Sequence, residues 1–168
     1  TYSLEITKLD LVWTLVHGPD SSATNLRSTS GKMDTEELVE NFEFLGDWEE
    51  RYRYIIDLGK QLKPLEDSER IEGNIVRGCQ SQVWLVRDHD VDAKLQFRAD
   101  SDAFIVRGLL AVVLTAFDDK SPSDILAFDA KDFFARLGLD QHLSPSRANG
   151  LHSIVEKIRT IAHTNRMA

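Results

Sequence analysis

The sequence predicts an α+β domain in which a small antiparallel sheet of about three strands packs on several helices. Three observations predict it. Leu95, Phe97 and Ala99 alternate with Lys94, Gln96 and Arg98, the period of a strand with one buried face. Across residues 103–117, 12 of 15 side chains are apolar and Arg107 is the single charge, the pattern of a central core helix. Ala148, Leu151, Ile154, Val155, Ile158 and Ile161 recur on one face of a last, amphipathic helix.

Taken in chain order, residues 1–32 differ from the rest of the chain. Tyr2, Leu4 and Ile6 alternate as in a short strand, and Leu11 to Val16 is apolar but too short to span a bilayer. Glu5 and Asp10, with no basic region ahead of them, argue against a leader. Gly18 to Gly31 is small and polar, so 1–32 reads as an appendage or linker whose native status is left open. The patterned domain is expected over 33–168. Asp34 is placed to cap a helix through Phe44. Asp47 with Glu50 opens a second, which carries Tyr52, Ile55, Ile56 and Leu58 and ends before Pro64. Residues 65–73 read as a charged loop, Asn74–Val76 as a short strand, and Val83–Val86 as a strand facing the 95–99 run across a polar tip. Ser101 or Asp102 is expected to open the core helix. Ser121-Pro122 and Ser144-Pro145 each open a later helix by the cap-then-proline pattern. Between them, Phe133, Phe134 and Leu137 form a short helix closed by Gly138.

Length and composition narrow the function. At 168 residues with 42% hydrophobic side chains the chain closes its own core and is not of the disordered kind. Lys and Arg number 20 against 28 Asp and Glu, a net charge of −8, which disfavours nucleic acid or an anionic membrane as the main partner. One cysteine, Cys79, leaves no internal disulfide and no zinc knuckle to build. Asp88, His89, Asp90 and Asp92 sit at the expected hairpin tip, where solvated turn residues are the rule, so no metal site is assigned.

The most informative stretch is Gly78-Cys79-Gln80-Ser81-Gln82-Val83-Trp84. Gly78 removes a side chain beside the thiol, so the chain turns tightly there and another molecule has room to approach. Gln80, Ser81 and Gln82 surround the sulfur with hydrogen-bonding groups, and Arg77 is close enough in sequence to favour a thiolate. An inert, packed cysteine is the competing reading.

This block resembles the signature of the SufE/CsdE family of sulfur acceptors. So do three further blocks, in family order. Asn41-Phe42 with 48–52 and 55–59 resembles the opening helices. Residues 100–103 and 105–109 resemble the central helix, and Leu143 to Arg147 with 149–151 the start of the last helix. The resemblance implies an α+β SufE-like fold and a protein that stimulates a pyridoxal-phosphate-dependent cysteine desulfurase (SufS/CsdA-like). It implies that Cys79 takes the desulfurase's persulfide sulfur and passes it to an iron–sulfur cluster assembly scaffold. The pyridoxal phosphate belongs to the partner; no cofactor is expected here. The cytoplasm is the expected compartment, and a homodimer is left open.

Arg77, Gly78, Gln80, Ser81, Gln82, Asp100, Asp102, Arg107, His142 and Arg147 complete the candidate site. Several have plainer readings. Asp100, Ser101 and Asp102 suit a helix cap, Arg107 suits a salt bridge to Asp100 or Asp102, and His142 suits a solvated loop as well as a proton donor. Arg147 suits either a brace on the last helix or contact with an acidic partner. A docking-only activator that carries no sulfur is the alternative function. Reaching a donor while protecting the persulfide calls for Cys79 on a mobile loop, sheltered in the free protein and extended in the complex.

Overall fold

Each longer helix but one begins where a short polar side chain replaces a missing backbone acceptor. In the computed structural model, which describes residues 31–167, Asp34 Oδ1 accepts from the Glu37 amide at 2.9 Å while Glu37 accepts from the Asp34 amide at 3.0 Å. This reciprocal box starts α1 (Thr35–Phe44). Asp47 accepts from the Glu50 amide at 2.8 Å and starts α2 (Trp48–Lys60). Glu50 reaches back to the Gly46 amide instead of the Asp47 amide, so the expected box is only half made. Ser121 and Ser144, each followed by proline, start α4 (Pro122–Ala127) and α7 (Pro145–Arg166). The exception is α3 (Phe104–Phe117), whose cap position is Ala103. Ser101 and Asp102 do not cap it, because the preceding strand runs through Ser101 and engages them otherwise.

Strands β1 (Val83–Arg87) and β2 (Phe97–Ser101) pair antiparallel, with Val83 opposite Ser101, Leu85 opposite Ala99 and Arg87 opposite Phe97. At the tip of the connecting hairpin, Val91 and Lys94 exchange hydrogen bonds of 3.1 and 2.9 Å around Asp92 and Ala93, both left-handed. Asp88 and Asp90 are spent on Arg98 and Arg87. The expected third strand is a single bridge, Ile75 to Trp84, with the Val76 amide 2.8 Å from the Val83 carbonyl. A 3₁₀ turn over Glu72–Asn74 precedes it and a turn at Arg77-Gly78 follows, so nothing is left to extend. A second 3₁₀ turn, Asp67–Glu69, gives order to the segment expected to be a charged loop.

The core sits around α3, where Leu110, Val112, Val113 and Phe117 are at most 1% exposed. Helix α2 crosses it with backbones almost touching: a Cβ on Gly108 would collide with the Ile55 carbonyl oxygen. On α2 the buried face is Tyr54, Ile55, Leu58 and Gly59. Tyr52 and Ile56 are only half-buried, because the helix is rotated toward Tyr54, whose hydroxyl accepts from Asn41 at 3.0 Å. Helix α5 (Ala130–Arg136) ends before Gly138, left-handed at φ 73°. A turn not expected from sequence, α6 (Leu139–His142), follows it, seated by fully buried Leu139. The domain from Met33 onward forms one unit. The strand, apolar run and linker expected over 1–32 lie, up to residue 30, outside the described residues.

Candidate functional site

The loop 77–82 leaves the short bridge at Ile75 and returns into β1. Its return end is fixed by β2: the Ser101 hydroxyl donates to the Gln82 carbonyl at 2.7 Å, and the Gln82 amide donates to Asp102 at 3.0 Å. Ser101 Oγ also accepts from the Ala103 amide at 3.2 Å. Asp102 and Ser101 thus hold the sulfur loop, which replaces the helix-cap role expected of them.

Between these ends the loop lies along α7. Gly78 is left-handed at φ 94°, and a Cβ there would come 2.6 Å from Ser153 Oγ. One residue on, the Cys79 sulfur sits so close to Gly150 that a Cβ on that glycine would be 2.9 Å from Sγ. Two glycines, one on each partner, let the loop and helix approach this closely. Cys79 is half-buried at a cavity of about 90 Å³ walled by Val106, Leu109, Leu151 and Ile154, with Arg147 at its edge. Ser81, half-buried, and Gln80, exposed, also line it.

Burial pushes the Cys79 thiol above its ordinary pKa, with no opposing cation. Arg77, expected to favour a thiolate, instead extends outward and pairs with Glu72. Arg147 donates to the Tyr52 hydroxyl at 2.7 Å and so ties the start of α7 to α2. That brace is one of the two roles the sequence offers it.

Asp100 is 1% exposed and accepts from Arg70 at 2.8 Å, the Leu65 amide at 3.2 Å and the Ser101 amide at 2.8 Å. Arg107 Nε lies 3.1 Å from its other oxygen, an ion pair without hydrogen-bond alignment, while Arg107 also donates to the Leu62 carbonyl at 3.1 Å. Asp100 and Arg107 therefore brace the segment before the loop and do not touch the sulfur. His142 is exposed and stacks on Trp48 with ring centroids 3.9 Å apart, outside the cavity wall. It is not placed as a proton donor to the thiol.

Sequence reasoning misses Gly150, Ser153 and Lys157, which folding brings to the loop and its near end, and Tyr52, which folding brings to Arg147. Of these, Tyr52 and Gly150 lie in blocks that carry the family resemblance, whereas Ser153 and Lys157 do not.

Fold and site define a class: a small α+β domain that presents one half-sheltered thiol from a loop braced on its last helix. The chain belongs to the SufE family. Residues 36–162 match the family's model, described as an Fe-S metabolism associated domain. The fold is similar to that of a hypothetical protein from Thermus thermophilus known from its solution structure. That protein is 18% identical, with a TM-score of 0.65 over 80% of this chain and 96% of the other. Among the described residues, no helix is long and apolar enough to cross a membrane.

Proposed function

We propose that this protein accepts sulfur from a pyridoxal-phosphate-dependent cysteine desulfurase onto Cys79, stimulates that enzyme, and relays the sulfur to an iron–sulfur assembly scaffold in the cytoplasm. The observation that carries this reading is the Cys79 thiol, poised at a cavity and set on a loop that rests against α7 through glycine contacts.

The chemistry needs one thiol. A Cys79 thiolate attacks the outer sulfur of the donor's persulfide and forms a new S–S bond. The donor's own S–S bond breaks, and its electron pair leaves on the donor cysteine as a thiolate, with no net oxidation. Onward transfer repeats the step with Cys79 as the leaving group. Since burial raises the Cys79 pKa, the thiolate is a minor species at neutral pH, and release of the loop into the donor's site serves both reach and ionisation. The cavity has room for an added sulfur, whose bulk is on the order of a water's 30 Å³.

Replacement Cys79→Ser tests the relay directly. Desulfurase turnover, read as alanine released from cysteine, is stimulated by the unaltered protein and falls to the level of the enzyme alone with the serine variant. Full stimulation by the serine variant would instead identify a docking-only activator.

A further inference from the structure

The face of α7 that carries the loop continues one turn beyond Ser153. Gly150 meets Cys79, Ser153 meets Gly78, and Lys157 reaches Ile75, its Nζ donating to the Ile75 carbonyl at 3.0 Å. Helix and loop therefore run antiparallel along one stripe, at spacings of three and four residues. Lys157 is half-buried, and its ammonium is given to a backbone oxygen where a carboxylate would be the usual partner. Burial lowers its pKa. An ammonium held partly out of water for one carbonyl is costly for a residue with no further role.

The position of that carbonyl supplies the role. Ile75 is the bridge residue at the point where the chain leaves the sheet for the sulfur loop. The far end of the loop is held by Ser101 and Asp102 of the β2 end, whereas this near end is held to β1 through the Val76 amide and, across to the last helix, through Lys157.

We propose that Lys157 is a positioning residue for the Cys79 thiol: its hydrogen bond to the Ile75 carbonyl keeps the near end of the loop on α7 and the sulfur in its sheltered place. This rests on the reading of Cys79 as the sulfur acceptor, but its test needs no desulfurase. The substitution Lys157→Met removes the donor and keeps most of the side chain's bulk. Alkylation of the single cysteine by iodoacetamide, followed to the plateau at high pH where the thiol is fully ionised, then reads access alone. The lysine nitrogen remains a donor there whether or not it has lost its extra proton.

The expected result is a plateau rate roughly 5- to 10-fold above that of the unaltered protein, the scale of losing one hydrogen bond at a partly exposed site. Lys157→Arg is expected within about twofold of the unaltered protein, because it restores the donor. Amide exchange is expected to quicken over 76–79 while α7 keeps its protection. An unchanged plateau rate in Lys157→Met would overturn the proposal. So would faster alkylation accompanied by equal loss of protection along α7, which marks a loosened helix. Should the Met variant fail to fold, Lys157→Gln, whose shorter arm falls short of Ile75, supplies the same comparison, and its rates are read the same way. A desulfurase that gives no sulfur to the unaltered protein would refute the acceptor role and leave these rates unaffected.

Discussion

At the scale of single residues, Cys79 and Asp100 show two opposite uses of burial. Around Cys79, partial burial disfavours the charged form and raises the thiol's pKa. Around Asp100 burial is nearly complete, and the carboxylate is met by Arg70 and Arg107 together with two backbone amides. A neutral isostere there loses the ion pairs and leaves Arg107, itself mostly buried, without a counter-charge. Asp100→Asn is expected to destabilise the domain by about 3 kcal/mol, the range for breaking a buried pair from one side. Urea unfolding measures it, and a loss below about 1 kcal/mol would show that the pair contributes little. The aspartates of the β2 end thus have separate tasks. Asp100 braces the fold before the loop, and Asp102 holds the loop's returning end.

At the scale of elements, the contact between the sulfur loop and α7 depends on Gly150. An alanine there brings two opposing effects. Helix propensity favours it by about 1 kcal/mol, while its Cβ would stand 2.9 Å from the Cys79 sulfur. The sulfur lies at the end of a rotatable side chain, so it yields more readily than the helix. Gly150→Ala is therefore expected to leave the melting temperature nearly unchanged and to raise the alkylation rate of Cys79 several-fold. A fall of many degrees with unaltered reactivity would mean that the helix, not the thiol, moves. Legibility in the sequence follows the same division between local and distant causes. Asp34, Asp47, Ser121 and Ser144 announce their helices because a cap acts within three residues. The 95–99 alternation announces a strand because its period is local. The bridge at Ile75 reads as a strand because sequence alone does not show the turns that confine it. Likewise, Lys157 and Ile75 are 82 positions apart, Tyr52 and Arg147 are 95 apart, and neither pair leaves a signal in spacing. The thiol is legible through a family resemblance, but its shelter is a product of tertiary packing.

At the scale of the whole molecule, the charges that make the chain acidic are organised in part around Arg98. It pairs with Asp88 through Nε at 2.6 Å and with Glu69 at the 3₁₀ turn, joining β2 to the segment that leads toward the sulfur loop. Arg98 holds the Glu69 carboxyl at about 2 and lowers Asp88 as well. In the unfolded chain such groups titrate at about 4.3 and 3.9. The stabilisation is therefore fully present above those values and is lost as pH falls through them toward about 2. Glu69→Gln is expected to flatten that part of the acid-unfolding profile while leaving neutral stability lower than that of the unaltered protein. Equal acid sensitivity in both proteins would show that other carboxylates govern the transition.

The sulfur relay itself is tested most directly by the intact mass of the protein after incubation with a cysteine desulfurase and cysteine. A relay through Cys79 predicts a gain of about 32 Da that a small thiol removes by exchange and that Cys79→Ser never acquires. An unchanged mass, or the same gain in the serine variant, would contradict it.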